Sequence, residues 1–232
     1  MLTSIEKIIF LLAVLASGYA AFQSVLRLTK IIDRGAGKPD LKQLPQRLVS
    51  VLIKVTSLQP TFKIRLGPSL LHALIAWGFL YYLLVNLGDV LEGFIPGFQF
   101  LGEGWIGNLY RLFGDLLSVA VLVGMVSMLL RRFVFKDKLL TARQDVLLHP
   151  RARAGIRRDS AIVGSFILLH VGGRFLGESL QIALHLSPDP WQPFASTLAR
   201  LWYGWTKTAL GVGEHVAFWL ALGLILAFIP YF

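Results

Sequence analysis

Three of the five histidines in this chain stand where an ionisable side chain is expensive. His72, His170 and His215 fall inside long apolar runs, where such a group normally faces the interior of a helix bundle and has a partner. His149 sits in a basic loop and His185 at the end of an apolar run, where water satisfies them. A neutral imidazole binds iron through one nitrogen while its other N–H finds an acceptor, so histidines on facing membrane helices point to a b-type haem held by two side chains. After His170, Arg174, Glu178 and Gln181 follow at i+4, i+8 and i+11 as one polar stripe. Gly173 and Gly177 leave the adjoining surface bare, a face on which a flat macrocycle could lie. Gly211 and Gly223 do the same around His215, with Trp219 as a stacking wall. His72 is flanked by Ala73 and Ala76, with Trp77 and Phe79 beyond. Arg174 and Arg111 are the basic groups expected to take the propionates.

The elements that must position these residues are membrane helices. Apolar residues make up 55% of the chain and charged residues 16%, with a mean hydropathy of +0.65, which excludes a soluble enzyme. Apolar runs at about 6–28, 69–91, 109–130, 160–184 and 210–230 predict an all-α membrane protein, a bundle of five transmembrane helices forming one domain over 1–232. The first run is too long for a signal-peptide core and reads as a retained anchor. With no cysteine the chain offers no thiolate nucleophile and no ligand for an iron–sulfur cluster, so a redox centre here must use histidine.

Sixteen of the 23 basic residues fall in the loops 31–68 and 131–159, which join spans one and two and spans three and four. That bias predicts the N-terminus outside and the C-terminus cytoplasmic, and it accounts for the net charge of +10 without nucleic acid. Loop 93–108 reads as an interfacial turn, 188–207 as a short surface helix, and 41–57 as an amphipathic helix on the headgroups or a partner. Counted at 1.5 Å per residue, His170 lies about 15 Å and His215 about 20 Å from the inner face, which pairs them on one iron. His72, about 5 Å in, would serve a second, inner haem whose other ligand should come from the inner end of span five. The ending Ile229-Pro230-Tyr231-Phe232 lacks a basic flank, which predicts either a chain that continues or a last helix that terminates at the headgroups. The rival reading is a cofactor-free membrane anchor, or a transport subunit in which the histidines and Asp115 line a proton or solute path. Asp115 and Asp89 fit helix packing equally well.

Four stretches carry a family likeness. Leu71-His72-Ala73-Leu74-Ile75-Ala76-Trp77-Gly78-Phe79, then Glu92-Gly93-Phe94-Ile95-Pro96-Gly97-Phe98, Arg131-Arg132 after span three, and Phe228-Ile229-Pro230-Tyr231 together resemble the membrane domain of the respiratory nitrate reductase gamma-subunit superfamily. More closely, the chain looks like the N-terminal membrane half of iron–sulfur oxidoreductases related to heterodisulfide reductase, including those that pass electrons from electron-transfer flavoprotein to quinone. The resemblance implies a five-helix cytochrome b with one or two b haems, and menaquinone or ubiquinone as substrate. It further implies a cytoplasmic iron–sulfur protein or C-terminal iron–sulfur domain as partner, in a bacterial or archaeal cytoplasmic membrane. His72 matches the second-span ligand position and His215 the last-span position. The outer second-span position falls near Tyr82, and His170 is the expected substitute.

Overall fold

The computed structural model describes residues 2–35, 41–58, 62, 66–137, 140 and 146–231, and among them every regular element is helical. Five helices are long and apolar enough to cross a membrane, which makes the chain a multi-pass integral membrane protein. They are α1 (Ser4–Ile32), α3 (Leu66–Phe94), α4 (Trp105–Leu129), α5 (Pro150–His185) and a last span that begins with α7 (Lys207–Phe218). Two shorter α-helices lie between the spans among the described residues: α2 (Leu44–Ser57), and α6 (Pro193–Ala199) in the loop after α5. The last span is not uniform. A π turn over Trp219–Gly223 separates α7 from α8 (Leu224–Phe228). A second π turn, Leu130–Val134, extends α4.

Each predicted span is present, most with ends a few residues longer than the apolar run. The large difference is α5, which begins ten residues earlier than the run at 160. Pro150 stands in its first turn, His149 caps it through Nδ1 on the Arg151 N–H (3.2 Å), and the exposed Arg151, Arg157 and Arg158 form its first turns. Hydropathy marks the part of a helix that lipid covers, not the whole helix.

α5 is the central helix and packs against α4, α6, α7 and the last span's π turn, while α3 packs on α4. Small residues set these contacts: Gly78 faces Val121, Gly124 faces Ile75, and Gly164 faces Leu129. α1 is held mainly at its two ends. At one end Thr3 and Glu6 form a capping box, Leu2 N–H donates to the Gly93 carbonyl (3.1 Å), and Phe10 is buried among Phe94, Phe218 and Trp219. At the other end it meets Ile229–Tyr231. The N-terminus and the loops 95–104 and 186–206 therefore share one end of the bundle. The loop after α1 and the loop after α4 share the other, as the charge pattern requires.

The 95–104 turn makes one position intolerant of any side chain. Leu101 and Gly102 adopt positive φ, and this brings the Gly102 carbonyl onto the first turn of α4, where a Cβ on Gly107 would overlap it. A backbone atom cannot rotate away, so Gly107→Ala is expected to destabilise the protein by about 1–3 kcal/mol. A thermal unfolding scan of the detergent-solubilised protein measures this. An unchanged midpoint would show that the turn yields.

Candidate functional site

The densest polar cluster inside the bundle centres on Arg174. Its guanidinium donates to both oxygens of Asp89 on α3 (2.9 and 3.2 Å) and to Glu178 one turn along α5 (2.7 Å). Glu178 also accepts from Gln192 Nε2 (2.8 Å), and Arg174 lies over the Tyr82 ring at 5.9 Å. Beside this cluster Glu92 accepts the Phe100 N–H (2.8 Å). Such a group is stable away from water because each charge has an opposite charge and a hydrogen bond. Arg174, expected from the sequence to meet a propionate, is paired in this structure with the carboxylates of Asp89 and Glu178. Arg111 is paired too, with Asp189 (2.7 Å), Asn108 (2.6 Å) and the Gly102 carbonyl (3.2 Å), where it ties the two end loops together.

His170 lies on the same face of α5, one turn from Arg174, and is 1% exposed. Its Nδ1–H donates to the Ala221 carbonyl (2.9 Å), which fixes the tautomer and leaves the lone pair on Nε2. Ala221 belongs to the π turn, where the shifted hydrogen-bond register makes a carbonyl available to a side chain. The imidazole stacks on Phe166 (5.8 Å, 10°) and meets the edge of Tyr82 (5.5 Å, 74°), whose hydroxyl bonds Ser118 (2.6 Å). The outer second-span position and its expected substitute are therefore neighbours.

His215 faces a different way. Its Nδ1 lies 2.8 and 2.9 Å from the two oxygens of Glu6 on α1, and Trp219 Nε1 donates to the same carboxylate (3.2 Å). Beside the imidazole runs a groove of about 760 Å³ lined by Thr208, Gly211, Val212, Val216, Trp219 and Gly223 among others. A Cβ on Gly211 would meet nothing, so that glycine leaves open space beside His215, whereas a Cβ on Gly223 would meet the Trp219 ring. Trp219 lines the groove and also anchors Glu6.

The pairing of His170 with His215 is corrected by the packing. Gly173 meets Leu220, Gly177 meets Ala217 and Gly213 meets Leu180, so the glycine face of α5 is a seam filled by the last span and not a bed for a macrocycle. That register puts His215 level with residues 178–179, about 13 Å along the axis from His170. Counting depth from assumed span ends could not show this, because the register is set by which small residues meet. His72 is exposed on α3 towards the opposite end of the bundle. Among the described residues no three His, Asp or Glu side chains converge as a metal cage. His215, whose ring a carboxylate orients and beside which a groove lies, is the residue that would hold a haem iron here.

Asp115 is a capping group. Its two oxygens accept the Phe194 and Ala195 N–H groups (2.7 and 2.9 Å) at the start of α6. Glu6 was not singled out by sequence reasoning, although Thr3-Ser4-Ile5-Glu6 ahead of an apolar run is a capping-box signature that places an acid at the mouth of the bundle.

Fold and site together define a five-span helical membrane protein with a buried arginine–carboxylate cluster and a carboxylate-oriented histidine beside a groove. The chain matches no protein-family model, no curated protein and no solved structure.

Proposed function

We propose that this chain is the membrane subunit of a quinone-linked electron-transfer complex, with a b-type haem bound through His215 in the groove between α1 and the last span. The observation that carries this reading is the Glu6–His215 pair at the groove's edge. A carboxylate that takes the Nδ1 proton raises the basicity of Nε2 and holds the ring in one orientation, as carboxylates behind metal-bound histidines do. The haem would supply one-electron chemistry, and the chain would supply the ligand and one wall of its site. The quinone pool is the membrane-side reactant. The partner is a cytoplasmic iron–sulfur protein or domain that receives electrons from electron-transfer flavoprotein, and it docks on the basic end formed by Arg151, Arg157 and Arg158. A reduced-minus-oxidised spectrum of the purified chain, with haem quantified per chain, tests this directly. One haem b per chain is expected, and a colourless preparation refutes it.

One observation favours the rival, a cofactor-free proton or solute path. A cavity of about 260 Å³ and another of about 620 Å³ share Glu92, Gly97, Phe98, Arg174, Glu178 and Gln181 as walls, and the smaller one reaches His215. The two cavities adjoin towards the end that carries the 186–206 loop, with charged residues in the wall they share. Because the chain has no cysteine, Gln181→Cys can be probed alone. On either reading a small membrane-impermeant thiol reagent should modify it from that end, while Leu83→Cys, on the exposed side of α3, stays unmodified. A colourless protein in which Gln181→Cys reacts would leave the transport reading standing.

A further inference from the structure

Helix α2 buries none of its residues, yet it is built to lie against something apolar. At 100° per residue Leu44, Leu48, Val51, Leu52 and Val55 share one side, and Gln46, Arg47, Ser50 and Lys54 the other. Leu48, Val51, Leu52 and Val55 are each more than half exposed. Water is a poor environment for that face.

Its depth and its end identify the environment. Trp77 Nε1 donates to the Thr56 carbonyl in the last turn of α2 (2.8 Å). Trp77 stands eight residues inside the apolar run that starts at Ser69, so its Cα is about 12 Å below the hydrocarbon edge, and the indole leans back towards that edge. The end of α2 is thereby held roughly 5–10 Å deep, the level at which interfacial amphipathic helices lie. The bond also has a reason specific to lipid. Four residues after Thr56 stands Pro60, which has no N–H to give. In water the carbonyl would be hydrated, but in the acyl boundary it needs a protein donor, and the indole is one.

We propose that α2 lies in the plane of the bilayer, with its Leu44–Leu48–Val51–Leu52–Val55 side among the acyl chains and with Arg47 and Lys54 on the phosphates of anionic lipids in the same leaflet. Both cations stand at the border of the apolar side, from which long side chains reach the headgroups. This inference is independent of the haem reading and stands or falls without it.

The test uses the full chain in phosphatidylcholine vesicles, with and without phosphatidylglycerol. A nitroxide is attached at Leu52→Cys or at Ser50→Cys, each the sole cysteine. The Leu52 label should show a several-fold higher ratio of oxygen to water-soluble nickel collisions than the Ser50 label. That ratio should fall when phosphatidylglycerol is omitted or when Arg47 and Lys54 are both changed to Glu. Equal nickel access at the two positions would place the helix in water, and a Leu52 label shielded from both collision partners would place it against protein or a second copy. Either result overturns the proposal. A contrast between the labels that is indifferent to phosphatidylglycerol overturns its headgroup part.

Discussion

Replacing His215 with alanine is expected to remove the haem altogether. The groove offers no second imidazole among the described residues, so the loss of this one leaves nothing to hold the iron. Glu6→Gln is the finer probe. It keeps the size of the side chain but no longer accepts the Nδ1 proton as an anion, and the loss of such a partner typically lowers metal affinity about 10–100-fold. His170→Ala separates this site from a shared one. The packing register holds His170 about 13 Å away along the axis, so that variant should retain its haem and lose only packing and one hydrogen bond to Ala221. Haem per chain after purification, with a competition assay against a haem-binding apoprotein, measures all three. Equal haem loss from His170→Ala and His215→Ala would restore the bis-imidazole pairing and refute the geometry argued here.

Removing Arg174 should be the most damaging single change to the fold. Arg174 is 10% exposed, and its partners Asp89 and Glu178 are 17% and 19% exposed. Arg174→Ala would leave two carboxylates without a cation inside the bundle, a situation that costs about 3–5 kcal/mol. Arg174→Lys keeps the charge but loses the planar fork that bonds both oxygens of Asp89 and Glu178 together, so it should recover part of the loss. Asp89→Asn with Arg174 intact should cost less than Arg174→Ala, because Glu178 still neutralises the arginine. Unfolding of the purified protein in a series of denaturing detergent mixtures gives the free energies. A loss below about 1 kcal/mol for Arg174→Ala would mean that water in the adjoining cavities already screens the cluster as it does at a surface.

The five spans and the sharing of one bundle end by the two basic loops could be read from hydropathy and charge, because lipid and membrane potential act on composition. The amphipathic α2 and the polar stripe of Arg174 and Glu178 were legible too, since helical periodicity places residues on faces. What periodicity cannot supply is the other helix. Gly173 and Gly177 look alike whether they bed a cofactor or receive Leu220 and Ala217, and only the packing register decides. The same limit hid Glu6, 209 residues from His215 in sequence, and the arginine partners, since Arg111 and Arg174 look available until Asp189 and Asp89 are placed beside them.

The π turn at Trp219–Gly223 has a consequence for how this span compares with its counterparts in other proteins. Such a turn winds one residue more into the helix than an α turn does, between halves each pinned by their neighbours, here by Glu6 at one half and by α1 against Ile229–Tyr231 at the other. The halves are therefore out of phase by one residue, or about 100° of rotation. An ungapped alignment of this span with a regular helix matches one half face to face and turns every residue of the other half onto the wrong side. A comparison that allows a single-residue gap within 219–223 keeps both His215 and the Pro230 end in frame with spans that lack the extra residue.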